Sequence, residues 1–465
     1  MHTHSFIVAG GSSGAGKTTI TLGLMAALKK RGLIVQPFKA GPDYIDPSHH
    51  GTLCGRPSYN LDTWMMGVEG VRKSFEKVMC GADVGIIEGV MGLFDGKDGK
   101  KEEGSTAHLA KVLNLRIILV IDAWGMARSA AALVYGFEKF DPDVKIGGVI
   151  FNRVGSERHF IMLREAVESS CNSKVLGYLP RDKEIGIPER HLGLVMSSEV
   201  NRGGDSAQID RIAELTEKFV DIEAILEMSL NSITPNNQMG RAKKRQGTIS
   251  PRIAIAYDNA FCFYYQENLD ILKGLGAEII FFSPMRDRKL PAQTAGIYFG
   301  GGYPELHAPS LMANKIIRGE IRHCADRGMP IYAECGGLMY LGKDLINLKG
   351  KTFEMVGIFP WTSRMLSNIK SLGYREVTVK EGCPFLKRGK KIRGHEFHYS
   401  EITAPEQIEC TYLISDGKKD REIEEGYLYR NTLASYVHLH FASNMRFAEG
   451  FTGKCKEYTG SISDN

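Results

Sequence analysis

The chain has 465 residues, 43% of them hydrophobic and 24% charged, and a formal net charge of +5. That length exceeds what a single hydrophobic core supports and predicts two or three domains of ordinary globular composition. So small a charge on so long a chain excludes a dedicated nucleic-acid or membrane surface, and no apolar run nears the roughly 18 residues of a membrane span.

The nine cysteines are scattered and never form a C-x-x-C pair. They fit reduced thiols in the cytoplasm rather than a disulfide framework or a zinc site. The N-terminus enters an apolar strand with no leader before it, which agrees with a cytoplasmic location.

Residues 5–9 predict a buried strand, followed by GGSSGAGKTT at 10–19 and a helix over 20–30. Gly11 to Thr18 matches G-x-x-x-x-G-K-[ST] in the strand–loop–helix context that this phosphate-binding motif requires. Gly11, Gly14 and Gly16 let backbone N–H groups wrap a phosphate at a helix N-terminus. Lys17 would reach the β- and γ-phosphates of ATP, Thr18 would hold Mg²⁺, and Thr19, the next residue, is a further candidate for ATP. A second strand, 34–38, leads into a loop at 39–47 that contains Asp43, Tyr44 and Asp46. Loops at the carboxyl ends of strands carry the ligand contacts of open α/β sheets. Asp43 and Asp46 are therefore candidates for Mg²⁺ or for a reacting group, the alternative being turn-forming aspartates beside proline.

The strand at 84–88 ends in Glu88, the place of an acid that acts on Mg²⁺. Its glycine-rich continuation puts Asp95 on a flexible loop over the site. Strands at 117–121 and 146–151 follow, separated by helical patterns at 106–113 and 128–137. This alternation predicts a parallel, doubly wound sheet. Asn152 stands where such folds recognise a purine base, or else is a turn residue. A final strand is expected at 176–181 and a loop at 187–194, whose His191 is read as structural. Residues 207–228 read as a closing helix.

Residues 229–251 are polar, basic and aperiodic, and are read as a linker between domains at 1–228 and 252–450, with a polar tail at 451–465. In the second domain, strands are expected at 252–257 and 278–282 around a helix at 264–275. The strand that follows ends in Gly300, Gly301 and Gly302. Residues 329–341, MPIYAECGGLMYL, then predict strand, tight turn and helix with Cys335 at the turn. Such an elbow lifts a nucleophile out of a sheet and turns the amide of the next residue, Gly336, toward a developing oxyanion. Gly301 would supply the second amide. A thiol is mostly protonated at neutral pH and needs a base. Residues 434–441 read as one alternating strand with His438 and His440 on one face, and His438 is the chosen base. His395 and His398 fall on opposite faces at strand spacing, which disfavours a shared metal.

These stretches together resemble the cobyrinate a,c-diamide synthases, glutamine-dependent amidotransferases of corrinoid biosynthesis. The resemblance is carried by GAGKTT, FKAGPDYIDPSHH, EGVMGLFDG, PERHLGL, AFCFYYQENL, GGGYPELHA, AECGGLMYL, GHEFHYS and YVHLHF, in family order over almost the whole chain. It implies an N-terminal dethiobiotin-synthetase-like P-loop domain and a C-terminal class I glutaminase domain, both α/β. It implies Cys335 as thioester nucleophile and His438 as its base. Lys39 and Asn152 join the P-loop at ATP, and Asp43, Tyr44, Asp46 and Asp95 lie near the activated carboxylate. Thr18, Asp46 and Glu88 are the implied Mg²⁺ set. Class I glutaminases often carry a glutamate two residues beyond the histidine; here that place is His440, so the residue that orients His438 is not identified. The substrates implied are a tetrapyrrole polycarboxylate, glutamine and ATP, with Mg²⁺ as cofactor and a homodimer as a candidate assembly. Ammonia released at Cys335 would displace phosphate from an acyl phosphate at the a and c positions. A Ni-sirohydrochlorin a,c-diamide synthase shares these motifs. A ParA/MinD-like switch ATPase is the alternative of another class, though its P-loop usually opens with an extra lysine where this one reads Gly10-Gly11-Ser12-Ser13.

Overall fold

The computed structural model describes residues 3–182, 185, 189–190, 193–194, 202–231, 250–404, 407–415 and 422–463. The chain divides into two compact units, Met1–Gly240 and Arg241–Asn465. His191 and residues 232–249, most of the expected linker, lie outside the described residues. No helix among the described residues is long and apolar enough to cross a membrane.

In the first unit the elements run β1 (Thr3–Gly10), α1 (Lys17–Lys30), β2 (Val35–Ala40), α2 (Ile45–Cys54), β3 (Tyr59–Leu61), α3 (Gly67–Val78) and β4 (Val84–Glu88). There follow α4 (Thr106–Leu113), β5 (Arg116–Asp122), α5 (Ser129–Phe140), β6 (Ile146–Val154), α6 (Glu157–Glu168) and β7 (Lys174–Pro180). The strands stand in the order β3-β2-β4-β1-β5-β6-β7 and are parallel throughout, with Leu230–Asn231 added antiparallel to β1. Strands covered on both faces read as continuous apolar runs rather than as alternation, and Phe6, Ile7, Val8 and Ala9 of β1 are all fully buried. The order reverses about β1, so the loops after β1, β2 and β4 gather at one carboxyl edge, where such sheets bind ligands. The closing helix expected at 207–228 is two helices, α7 (Arg202–Phe219) and α8 (Ile222–Met228). Asp221 separates them because its side chain accepts the N–H of Ala224 and caps the second.

The second unit holds a ten-stranded mixed sheet. Its parallel part runs Glu278–Phe282, Arg252–Ala256, Thr294–Phe299, Ile331–Glu334, Thr432–Ser435. It continues antiparallel through Ile423–Tyr429, Cys410–Ser415, Ser371–Val379, Lys391–His398 and His438–Leu439. The expected single strand at 434–441 is therefore not one strand. Its first part pairs with Ile331–Glu334 and its last with Lys391–His398, at opposite ends of the antiparallel run. Two buried carboxyls fix the crossing: Glu425 accepts Ser435 Oγ at 2.6 Å and the N–H of Tyr436, and Glu334 accepts the N–H of Leu439. The segment from 451, expected as a polar tail, is the second half of the helix Met445–Ser463, with Phe451 and Cys455 fully buried.

Candidate active sites

The first site lies at the carboxyl ends of β1, β2 and β4. Gly16 caps α1 with φ 94°, and a Cβ there would lie 1.9 Å from Asn152 Nδ2. Only glycine fits the turn. Lys17 Nζ donates to Ser12 O at 3.3 Å and to Met91 O at 2.5 Å. Burial, then the Lys39 ammonium, pushes Lys17 below the ordinary lysine value, against the pull of Glu88, Asp46 and Asp95.

Glu88, fully buried at the end of β4, gathers the neighbouring side chains. Its Oε1 accepts Thr18 Oγ1 at 2.7 Å and Lys39 Nζ at 2.9 Å, and its Oε2 meets His50 Nε2 at 2.7 Å. Lys39 also binds Asp46 and lies 3.6 Å from Asp43. Burial works against the Lys39 charge, but Asp46, Glu88 and Asp43 outweigh it and hold the ammonium above its usual value. Three carboxyls share this one ammonium. Burial opposes ionisation of Glu88, yet Lys39 and His50 hold it well below the carboxylate range. Burial, with the charges of Asp43 and Glu88, pushes Asp46 well above that range in spite of Lys39. The cluster thus favours the charged form of Glu88 and disfavours that of Asp46.

Of the expected Mg²⁺ set, Thr18 and Glu88 are in direct contact, whereas Asp46 reaches Glu88 only through Lys39. Among the described residues, no three His, Cys, Asp or Glu side chains are placed to hold a metal ion. A hydroxyl beside an ionised carboxylate nonetheless suits Mg²⁺, which keeps waters and takes phosphate oxygens for most of its ligands. Thr19 lies in the first turn of α1, and Gly14 takes a left-handed turn with φ 76°. Gly11 donates to Val120 O. Asp43 caps α2 through the N–H groups of Ile45 and Asp46, with Tyr44 at the helix's first boundary.

One expectation changes here. Asp95 Oδ2 accepts the N–H of Gly92 at 2.9 Å, and Leu93 N–H donates to Gly10 O, so this stretch is tied along the P-loop rather than poised above it. Asn152 donates to Ala15 O at 3.0 Å and accepts the N–H of Arg153, so its amide bonds the P-loop backbone. Sequence reading missed His50. It lies four residues beyond Asp46 on the same face of α2, a spacing visible only once 45–54 is read as a helix.

The second site is built on the elbow between Ile331–Glu334 and the helix Gly336–Leu341. Cys335 takes φ 46° and ψ −100°, a conformation rare outside glycine and characteristic of strained functional turns. Its N–H donates to Ser435 O at 2.8 Å. Burial, followed by Glu305 and Glu396, raises the thiol well above its ordinary value, while the Gly336 N–H facing the sulfur lowers it. A Cβ on Gly336 would come within 3.0 Å of Gly302 N and Pro304 Cδ, so the glycine loop and the elbow are packed backbone on backbone. On Gly301 a Cβ would lie 2.4 Å from His438 Cε1 and 3.1 Å from Nε2. The loop therefore touches both the elbow and the expected base.

His438 is buried, stacks on His395 with ring centroids 5.1 Å apart, and is held well below the usual histidine value by burial and then by His395 and His398. That shift favours the neutral imidazole, the form in which a histidine acts as a base. Its Nδ1 lies 3.8 Å from Glu334 Oε2. His440 packs its ring at a tilt against Tyr265, with centroids 4.7 Å apart. His395 Nδ1 pairs with the Tyr265 hydroxyl, and His398 pairs with Glu396 and stacks on Tyr436. The two take different partners.

Comparison with known proteins agrees with this architecture. Residues 6–195 match the family model described as the CobQ/CobB/MinD/ParA nucleotide binding domain, and residues 252–445 the CobB/CobQ-like glutamine amidotransferase domain. The chain is 41% identical over 453 residues to a cobyrinate a,c-diamide synthase of Caldanaerobacter subterraneus subsp. tengcongensis, covering 97% of this chain and 98% of that one. It is 41% identical to the protein of that name in Priestia megaterium (98% of each chain), and 44% identical to that of Listeria innocua (95% of this chain, 97% of the other). With a P-loop site in one unit and a cysteine elbow in the other, this chain belongs to the cobyrinate a,c-diamide synthase family, glutamine-hydrolysing ligases that join a nucleotide-binding domain to a glutamine amidotransferase domain.

Proposed function

We propose that the protein amidates the a and c side-chain carboxylates of cobyrinate, using ATP and either glutamine or free ammonia, through acyl-phosphate intermediates. The observation that carries this reading is likeness to the cobyrinate a,c-diamide synthases over nearly the full length of both chains, with both sites present. A carboxylate is a poor electrophile, and transfer of the γ-phosphoryl group turns its hydroxide-level leaving group into phosphate.

In this reading the α1 N-terminus and Lys17 bind the ATP phosphates, and Thr18 and Glu88 would hold Mg²⁺. Bound there, Mg²⁺ would neutralise charge developing on the transferred phosphoryl group. Lys39, which pairs with Asp43, Asp46 and Glu88, would meet the phosphoryl oxygens of ATP. Tyr44 and Asp43 shape the wall around it. Asp95 holds the 91–95 turn whose carbonyl at Met91 receives Lys17. In the other unit, Cys335 passes its thiol proton to His438 and attacks the glutamine carboxamide. The C–N bond breaks as His438 returns the proton to nitrogen, and ammonia leaves. Gly336, with Gly301 or its neighbour, faces the oxyanion. Water then hydrolyses the thioester to glutamate, and ammonia displaces phosphate from the acyl phosphate.

The test is a turnover assay with ATP, Mg²⁺ and glutamine, offering cobyrinate and Ni-sirohydrochlorin separately and following product mass through two amidations. Two successive additions on cobyrinate support the proposal. Preference for the nickel macrocycle would retain the mechanism and reassign the substrate. ATP hydrolysis without amidation of either would overturn the reading.

A further inference from the structure

His440 occupies the place where the wider class of glutaminases carries an orienting glutamate, and neither of its ring nitrogens has a hydrogen-bond partner among the described residues. We propose that Glu334, the residue immediately before the nucleophile, takes that part: its carboxylate holds His438 through Nδ1 and stabilises the imidazolium formed when Cys335 gives up its proton. This rests on the Cys335–His438 assignment above.

Strand alternation places Glu334 for this. Along Ile331–Glu334, Tyr332 and Glu334 share one face, and the elbow then turns Cys335 out of the strand. Glu334 Oε1 accepts the Tyr332 hydroxyl at 2.7 Å and the Leu439 N–H at 2.9 Å. Oε2 accepts the Tyr298 hydroxyl at 2.9 Å and faces His438 Nδ1 at 3.8 Å. One carboxyl thus grips both the backbone and the ring of the segment that bears the base. At 3.8 Å the ring contact is not a hydrogen bond but is within ion-pair reach, so it gains strength when the imidazole becomes a cation. Both side chains are almost wholly buried, and a cation formed there needs a carboxylate close by.

The titratable neighbours of His438, namely Glu396, His395 and His398, have partners of their own. Glu396 is held by Arg375 Nε at 2.6 Å and His398 Nε2 at 2.7 Å. His395 stacks on His438 and bonds Tyr265. Around Glu334 itself stand Tyr298, Tyr332 and His438 in contact, with Tyr264, Tyr412 and Cys335 near enough to feel its charge. Burial pushes the Glu334 carboxyl up to about 8, against the hydrogen bonds from Tyr332, Leu439 and Tyr298. Ionisation of Glu334 therefore sets a rise in glutaminase activity as pH passes through that region.

In the proton step, the Cys335 thiol proton passes to the His438 nitrogen remote from Glu334, Nε2. The sulfur lone pair forms the bond to the carboxamide carbon, and the imidazolium Nδ1–H faces the carboxylate until the proton passes to the departing nitrogen. The alternative is a purely structural anchor for the Leu439 backbone.

The experiment measures glutamate release by the full-length protein from pH 6 to 9.5 for the wild type, Glu334→Gln and Glu334→Asp. Glutamine at 334 can still accept the Leu439 N–H but carries no charge. Glu334→Gln should lower kcat about 10- to 100-fold with KM within about twofold, and should lose the rise near pH 8, while Glu334→Asp recovers part of both. Wild-type kcat with an unchanged pH profile in Glu334→Gln overturns the proposal. Should that variant lose cooperative thermal melting, the wild-type profile decides: a rise through about pH 8 supports the proposal and a flat profile overturns it. Cys335→Ser and His438→Ala run alongside. If either retains glutaminase activity, the dyad itself is wrong; if both lose it while Glu334→Gln does not, only the role of Glu334 falls.

Discussion

Gly301→Ala is a one-carbon probe of the glutaminase site. Gly301 does not have the left-handed φ of its neighbour Gly302, so its backbone tolerates alanine and space alone makes the residue glycine. The added methyl would lie 2.4 Å from His438 Cε1. Carbon atoms pack at about 3.5–4.0 Å, so relief needs a shift of roughly 1 Å. Gly301 is held because its carbonyl accepts the N–H groups of both Cys262 and Phe263. The imidazole must therefore move, off its stack on His395 and within a strand paired to Gly394 and His395. A displacement of about 1 Å costs on the order of 100-fold in rate, or about 2.7 kcal/mol in the barrier. Glutamate release at saturating glutamine should fall by that factor, while amidation supplied with ammonium chloride continues. Gly319→Ala, whose Cβ meets nothing within 4 Å, is the control and should match the wild type. A folded Gly301→Ala protein with kcat within twofold of wild type would refute the placement of His438 against this loop.

Cys335→Ser should abolish glutamine-dependent amidation and leave the ammonium-supported reaction, since only the nitrogen source is removed; intact glutamine turnover would contradict the assignment. His50→Ala removes one of the groups holding Glu88 ionised and should slow amidation roughly tenfold with either nitrogen source while sparing glutamate release. From these four groups the second unit should hold a plateau of stability between about pH 4.5 and 6.5 and lose stability on either side, read by hydrogen exchange of the amides in 331–334 and 432–439. Glu334 and Glu425 are pushed up to about 8 by burial, so the stability they contribute is complete at low pH and is lost as pH rises toward 8. Burial pushes His395 and His440 down to about 3, so their contribution is lost as pH falls from 6.5 toward 3. Each such proton is worth about 1.4 kcal/mol per pH unit. Protection that increased steadily from pH 6.5 to 8 would contradict the carboxyl side of this balance.

The parts of both sites that were legible in the sequence are those carried by a single turn. The P-loop and the Cys335 elbow each write their strand, glycines and helix consecutively, and Glu88 ends an unbroken apolar strand. What was hidden depends on residues far apart in the chain. His50 meets Glu88 from 38 positions away, on a helix whose polar sequence DPSHHG masks its period. Residues 434–441 alternate as a strand should, yet Glu425 and Glu334 take the N–H groups of Tyr436 and Leu439 and carry the chain across the sheet. Asn152 was legible only as a strand-end residue, a position shared by base readers and braces alike; its bond to the Ala15 carbonyl joins residues 137 positions apart and could not be seen in the sequence. The second part of the helix Met445–Ser463 was obscured by the polar residues around Phe451 and Cys455, which pack inward with Phe447 and Ala448.

The two sites use one device in opposite senses. In each unit a parallel strand ends in a fully buried glutamate, Glu88 or Glu334, beside the reactive loop. Burial alone would keep both neutral. Glu88 meets Lys39 and His50, which outweigh burial and keep it ionised, ready for a cation that comes and goes with the nucleotide. Glu334 meets two tyrosines and one backbone N–H, whose neutral hydrogen bonds do not outweigh burial. Its charge is costly until an imidazolium forms at His438 and repays it. A standing charge suits the domain that must attract ATP and its metal before any chemistry begins. A charge that becomes favourable only as the thiol proton moves suits the domain that must favour the transition state over the resting thiol. Exchanging the surroundings tests this directly. Tyr298→Phe with Tyr332→Phe removes two donors to Glu334 and should move the alkaline rise in glutaminase activity to higher pH, since the carboxylate loses the bonds that favour its charged form; a rise that stayed in place would separate Glu334 from the pH dependence.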